Sequence, residues 1–207
     1  PGRHVSSYLD DVRAGVLADG RLSVYDLRPQ TPRLGNEGLD FGQGVNLGGQ
    51  RRVFIADAIA YVADWFSGLH IYDLRDARRP QLLSSFHTDG SSKGVVVRDG
   101  IAYVADDDHG LQILDVSDPR APVRIAELPT PGLAYTPVLD GDLLYLAVHR
   151  GGFIIADVSD PRAPRTIAEV DTPGKAWSLR VRDGVLYVAD DDSGLLVFDV
   201  RDPAALA

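Results

Sequence analysis

Gly110-Leu-Gln-Ile-Leu-Asp-Val-Ser-Asp-Pro-Arg-Ala-Pro122 decides the fold, because the chain contains it several times over. Its first half recurs as Gly20-Arg-Leu-Ser-Val-Tyr-Asp26, Gly68-Leu-His-Ile-Tyr-Asp73, Gly152-Phe-Ile-Ile-Ala-Asp157 and Gly194-Leu-Leu-Val-Phe-Asp199. The closing aspartates lie 47, 42, 42 and 42 residues apart, and Tyr61, Tyr103, Tyr145 and Tyr187 recur every 42. A fixed period in this range is the mark of a repeat architecture in which each unit is one supersecondary module. The units run approximately over 1–48, 49–92, 93–131, 132–173 and 174–207, as parts of one domain spanning 1–207.

One unit can be parsed into four strands. Lys93 to Arg98 is a first strand, and Asp99-Gly100 is a strong hairpin signal. Ile101 to Asp106 follows, then the turn Asp107 to Gly110, then Leu111 to Val116. Ser117 to Pro122 is Pro-rich and cannot continue a ladder, and Val123 to Leu128 is the fourth strand. No segment spaces its apolar residues as a helix does, so the class is all-β. The third strands are apolar on one face (Leu111/Ile113, Phe153/Ile155, Leu195/Val197) and again on the other (Leu114, Ile154, Phe198). A sheet apolar on both faces must be covered on both. Radial packing of four-stranded blades achieves this, and propellers have roughly 4–8 of them. The expectation is a five-bladed β-propeller.

The pattern Gly-Leu-x-Ile/Val-x-Asp-Val-Ser-Asp-Pro-x-x-Pro, preceded by Ala-Tyr-Val-Ala-Asp, resembles the LVIVD repeat of bacterial and archaeal propeller-like proteins. Leu111 to Pro122 and Phe153 to Pro164 carry it best, and the second and fifth units carry it well. The first unit, Leu22 to Pro32, lacks Ser-Asp-Pro and is followed by an atypical Gly-rich stretch, Gly35 to Gly49. The resemblance implies a secreted or cell-surface location and supplies no catalytic residues to transfer.

Composition narrows the partners. The 207 residues are 44% hydrophobic and 25% charged, as in ordinary globular chains, with a net charge of −9. An acidic chain without clustered Lys and Arg is a poor partner for nucleic acid or an anionic membrane. It suits a protein, a glycan or a cation. No apolar run approaches the ~20 residues of a membrane span. There is no Cys, so disulfides say nothing about compartment, and there is no Met, even at position 1. A chain starting at Pro1 reads as processed or cut from something longer, which favours export.

The ends suggest an unfinished last blade. Pro1-Gly2-Arg3 aligns with Pro173-Gly174-Lys175, and only seven residues follow Val200. The outermost strand of the fifth unit is expected to be absent, and the N-terminus is not placed to supply it. A three-stranded last blade, or a chain cut from a longer one, is one reading. The other is a free edge to which a second copy, or another protein, adds a strand, giving a homo-oligomer or polymer.

Loops between second and third strands gather on one rim with the connections between blades, and functional groups concentrate on loops held by a rigid scaffold. Binding candidates there are Trp65, Phe66, Asp108, His109, His149, Arg150 and Asp192, with Trp177 at the start of a first strand. Exposed aromatics can stack on sugar rings or fill a partner's pocket; Trp177 is read equally as packing between blades. Asp106-x-Asp108-x-Gly110 and Asp190-x-Asp192-x-Gly194 resemble fragments of a calcium loop but lack the bidentate acid that normally closes one. A solvated Asp-Gly hairpin explains them as well. His109 and His149 are too few for zinc. Asp73, Asp115, Asp157 and Asp199 repeat in every unit, as scaffold residues do, and are expected to accept backbone N–H bonds in the following turn.

Catalysis finds little footing. The expected axial strands (His4 to Leu9, Arg51 to Ala56, Gly94 to Arg98, Leu133 to Leu139, Ala176 to Arg182) contain no Asp or Glu, whereas a glycosidase needs a carboxylate pair. Gly42-Gln-Gly44 and Gly48-Gly49 precede no helix, which rules against a nucleotide loop. The expectation is a non-enzymatic recognition module, or a structural subunit of a surface layer or filament.

Overall fold

Short alternating segments separated by Asp-Gly turns fold into antiparallel hairpins, and in the computed structural model these hairpins group into five sheets. Residues 52–76 and 79–206 are described, together with the backbone of three strands nearer the start. The expectations for Pro1 to Arg3, for Arg51, and for the Gly-rich stretch Gly35 to Gly49 lie outside the described residues. The first sheet is β1 (Val5–Leu9), β2 (Arg13–Ala18) and β3 (Arg21–Asp26), paired in that order. The second is β4 (Arg52–Ala56), β5 (Ile59–Asp64), β6 (Gly68–Asp73) and β7 (Gln81–Phe86). The third is β8 (Gly94–Arg98), β9 (Ile101–Ala105), β10 (Leu111–Asp115) and β11 (Val123–Leu128). The fourth is β12 (Thr136–Asp140), β13 (Leu143–Ala147), β14 (Phe153–Asp157) and β15 (Arg165–Val170). The fifth is β16 (Ala176–Arg182), β17 (Val185–Asp190) and β18 (Gly194–Asp199), followed by a 3-10 turn at Pro203–Leu206 that packs against β15. The fifth sheet thus has three strands, as its short tail suggests. Among the described residues no helix is long and apolar enough to cross a membrane.

The turns explain the local register. Asp99 and Gly100 have φ of 51° and 73°, and Asp183 and Gly184 of 52° and 74°. Two successive left-handed residues make the turn whose twist matches antiparallel strands, and Asp-Gly is the pair that tolerates it. At the other end of each hairpin, Asp115 Oδ1 accepts the Ser117 N–H at 3.0 Å and Asp157 Oδ1 that of Ser159 at 2.9 Å. Asp73 and Asp199 accept the N–H of Arg75 and Arg201 in the same way. The repeated aspartates are turn anchors. Each four-stranded sheet also shifts register once against its last strand, at Ile71/Tyr72, Ile113/Leu114 and Ile155/Ala156.

The first strands of successive sheets touch in the order β1, β4, β8, β12, β16, so the sheets stand side by side with these strands innermost. This is a propeller-like arrangement. Among the described residues three apolar layers lie between sheets. Tyr61, Leu69 and Ile71 meet Val95, Val97 and Leu114 between the second and third. Tyr103, Leu111 and Ile113 meet Leu144, Leu146 and Ile154 between the third and fourth. Tyr145, Phe153 and Ile155 meet Leu179, Leu186 and Val188 between the fourth and fifth. Each fully buried side chain of this size contributes about 1.5–3 kcal/mol, which is how neighbours hold each sheet in place. The fifth sheet departs from the expectation that every face is covered. Its far face is open: Leu195 and Val197, equivalent to the fully buried Leu111 and Ile113, are 66% and 58% exposed.

Candidate functional site

At the end of the innermost strands where each second-to-third-strand loop also arrives, two sets of residues alternate. Lys93, Tyr135 and Trp177 stand at or just before β8, β12 and β16, spaced by 42 residues. Trp65, Asp107, His149 and Asp191 stand in the loops after β5, β9, β13 and β17, again spaced by 42. Backbone bonds tie two of these loops to the entry of the next sheet. Asp107 and Ala134 exchange N–H···O bonds (2.8 and 3.3 Å), and the Ala176 N–H donates to the His149 carbonyl at 3.0 Å. Asp107 and His149 both hold φ at 54°, a conformation non-glycine residues rarely adopt. Strain of this sort persists only where the surroundings impose it, and it clusters at functional sites.

The side chains interlock across four sheets. Lys93, 6% exposed, places Nζ 3.4 Å from the centroid of the Trp65 ring, 3.3 Å from Asp107 Oδ2 and 5.5 Å from the Tyr135 ring. Tyr135 stacks on His149 at 5.3 Å and meets Trp177 edge-on at 4.9 Å, while His149 meets Trp177 at 4.9 Å. Burial pushes the Tyr135 hydroxyl pKa up, and the Asp107 carboxylate adds to the shift. Burial pushes the His149 pKa down, helped by the positive charges of Lys175 and Arg150, so the neutral ring is favoured. Lys175 itself bonds Asp191 at 2.9 Å. The outcome is a continuous band of π-faces with one ammonium seated in it. Such a surface can stack on a sugar ring or an aromatic side chain, and hydrogen-bond its polar edge.

Three sequence candidates, Trp65, His149 and Trp177, belong to this band. The others sit around it. Phe66 meets Trp65 edge-on at 6.1 Å and is 58% exposed. Arg150 and Asp192 are exposed. Asp108 and His109 are exposed and bonded to each other at 2.9 Å, a contact that raises the His109 pKa. Sequence reading passed over Lys93, Asp107 and Tyr135. Their signal was present: they share repeat positions with Trp177 and His149.

The acidic pairs proposed as calcium fragments separate. Asp106 is fully buried, accepting from Thr88 Oγ1 (2.6 Å), Ser92 Oγ (3.1 Å) and the Gly90 N–H (2.8 Å). A Cβ on Gly90 would lie 2.3 Å from the Asp106 carbonyl oxygen, so glycine is required for this approach. Asp190, in the fifth sheet, is buried against Gly174. Asp108 and Asp192 instead face solvent. Among the described residues no three or more His, Asp or Glu are grouped to hold a metal ion.

The LVIVD repeat family model matches residues 48–88, 89–128, 132–172 and 173–207. No curated protein matches the chain. Among solved structures the chain is similar to the computationally designed Ika8 protein, at 10% identity and a TM-score of 0.71, over 95% of this chain and 58% of that one. It is similar to a functionally unknown protein from Desulfotomaculum acetoxidans, at 12% identity and 0.77, over 96% and 68%. It is also similar to BamB from Moraxella catarrhalis, at 17% identity and 0.65, over 94% and 56%. The chain therefore spans a little more than half the length of Ika8 and BamB. At such identities the likeness shows the fold alone.

Proposed function

Because the chain belongs to the LVIVD repeat family, we propose that it is a non-enzymatic recognition module, its five sheets acting as propeller blades that present one binding band. The reading places it outside the cell or on its surface, with a glycan or a protein side chain as ligand. The observation that carries it is the interlocked row Trp65, Lys93, Tyr135, His149 and Trp177. An aromatic-rich band needs a partner with stackable faces, and aromatics dominate the energetics of such contacts. Repetition of register with variation of residue type fits recognition better than catalysis, which would want one convergent acid–base pair.

Both tryptophans of the chain lie in this band, so intrinsic fluorescence reports on it directly. Titration with a panel of neutral and acidic oligosaccharides, and with aromatic-bearing peptides, should produce a saturable change for at least one class. Trp65→Ala and Trp177→Ala should each weaken it tenfold or more. Saturable binding that both variants retain would place the site elsewhere. A second reading, strand addition by another copy, has its own support in β18, which among the described strands pairs with β17 alone.

A further inference from the structure

Four positions on the innermost strands, 42 residues apart, share one register: Arg52 pairs with Ala63, Gly94 with Ala105, Thr136 with Ala147 and Ser178 with Ala189. Three of the four are small, and the geometry shows why. Thr136 Oγ1 donates to the Trp177 carbonyl of the next sheet at 2.7 Å. A Cβ on Gly94 would lie 2.5 Å from the Tyr135 carbonyl oxygen and 2.8 Å from Pro137 Cδ, so the next sheet closes on this position. Arg52 breaks the pattern with a long cationic side chain. Its Cδ lies 3.6 Å from where the Gly94 Cβ would stand, so its stem reaches the bare Gly94 backbone, one residue from Lys93.

The charge of Arg52 is unmatched. The side chain is half-buried and, among the described residues, has no ion pair or hydrogen-bond partner, unlike Arg75, Arg98, Arg124, Arg165, Arg182 and Arg201. Burial alone pushes its pKa down, whereas hydrogen bonds from Asp73, Asp89 and Asp199 push those of Arg75, Arg124 and Arg201 up. The two lysines at this end are already matched: Lys93 Nζ lies 3.3 Å from Asp107 Oδ2, and Lys175 Nζ bonds Asp191 at 2.9 Å. A guanidinium stays charged, and withdrawing it from water without a counter-charge is costly. A carboxylate supplied by a ligand would offset that cost through a bidentate pair.

We infer that Arg52 receives the carboxylate of an acidic sugar, a uronic acid, whose ring lies on the aromatic band. The inference rests on the band being the binding surface and adds the charge of its ligand. An Asp or Glu side chain also carries a carboxylate but has no ring to stack, whereas a uronic acid carries both on one residue. The polar edges of the band, the Tyr135 hydroxyl and the neutral His149 ring, suit a ligand rich in hydroxyls.

Tryptophan fluorescence reads the binding of uronic-acid oligomers of the galacto and gluco series, each beside its neutral methyl ester. At least one acid should bind saturably, and about tenfold or more tightly than its ester. Arg52→Gln should lower the affinity for the acid to that for the ester and leave the ester unchanged. Arg52→Lys keeps the charge but loses the fork, and should fall between the two. Without ligand, Arg52→Gln should melt at or above the wild-type temperature, because it removes an unmatched charge from a half-buried site. Equal binding of acid and ester, or an acid preference that survives Arg52→Gln, would overturn the inference and leave the band reading standing. An unliganded Arg52→Gln that melts well below wild type would overturn it in favour of a stem that merely fills the space beside Gly94. Acidic peptides that bind in place of the uronic acids, and need Arg52, would overturn it in favour of a protein partner. Loss of all saturable binding, neutral sugars and aromatic peptides included, would bring down the band reading and this inference together.

Discussion

Asp106→Ala tests whether the buried acid is a structural lock. Asp106 is wholly shielded from solvent and accepts three hydrogen bonds: Thr88 Oγ1 at 2.6 Å, Gly90 N–H at 2.8 Å and Ser92 Oγ at 3.1 Å. Thr88 and Ser92 also contact each other at 2.8 Å, so when the carboxylate is removed the Thr88 proton can turn to Ser92. The Gly90 N–H has no such alternative. Hydrogen bonds to a charged group contribute about 1.5–3 kcal/mol each, and a buried donor left bare costs about 1–3 kcal/mol. With one hydroxyl contact recovered, the net loss should be about 3–5 kcal/mol, a large share of the ~5–15 kcal/mol that stabilises a typical domain. Asp106→Asn keeps the shape and one acceptor and should lose roughly half as much. The assay is urea denaturation followed by tryptophan fluorescence, read as a shift in midpoint at constant slope. Asp108→Ala is the control: that carboxylate is exposed and bonded only to exposed His109, so the change should stay within about 0.5 kcal/mol. The reasoning fails if Asp106→Ala unfolds within about 1 kcal/mol of wild type, or if the two alanine variants are alike.

Lys93→Met keeps the apolar stem but removes the ammonium from the Trp65 ring and leaves Asp107 without its cation; a loss of about 1–3 kcal/mol and altered tryptophan emission are expected. His149 has its pKa lowered from 6.5 by burial and by Lys175 and Arg150. A depressed base is protonated in the unfolded chain first, so stability and the Trp177 emission should hold above 6.5 and decline as pH falls below it. His149→Gln should flatten that decline in a fluorescence titration. Asp157 is held at about 2, below 3.8, first by its side-chain and backbone bonds to Ser159 and then by Arg165. Its stabilisation is present above 3.8 and lost as pH falls toward about 2, and Asp157→Asn should remove that part of the acid slope in urea midpoints measured at successive pH values.

Much of the architecture was legible because the residues that set it repeat in identity. Asp115 and Asp157 anchor turns and Tyr103 and Tyr145 fill layers, so their recurrence every 42 residues announces strands and their order, while Asp99-Gly100 marks a hairpin. The order of the three strands β16, β17 and β18 was likewise legible from the repeat. The aromatic band was only half legible. Trp65 and Trp177 stand out by size, whereas Lys93, Asp107 and Tyr135 look ordinary until the loop of one sheet is bonded to the entry of the next. Burial of Lys93 at 6% is a tertiary fact, since it depends on a ring from a preceding sheet covering the ammonium. A further rule would have found them: repeat positions that keep register while changing residue type, as Lys93, Tyr135 and Trp177 do.

The register slips at Ile71/Tyr72, Ile113/Leu114 and Ile155/Ala156 bear on how the molecule behaves in a crowd. A kinked outer strand offers a poor template for a foreign one, which is how natural sheets avoid zipping together. β18 runs against β17 without a slip from Gly194 to Asp199. Three flanks are therefore blunted, so the four-stranded sheets are guarded against zipping onto a foreign strand, whereas β18, like β3 against β2, keeps an unbroken register.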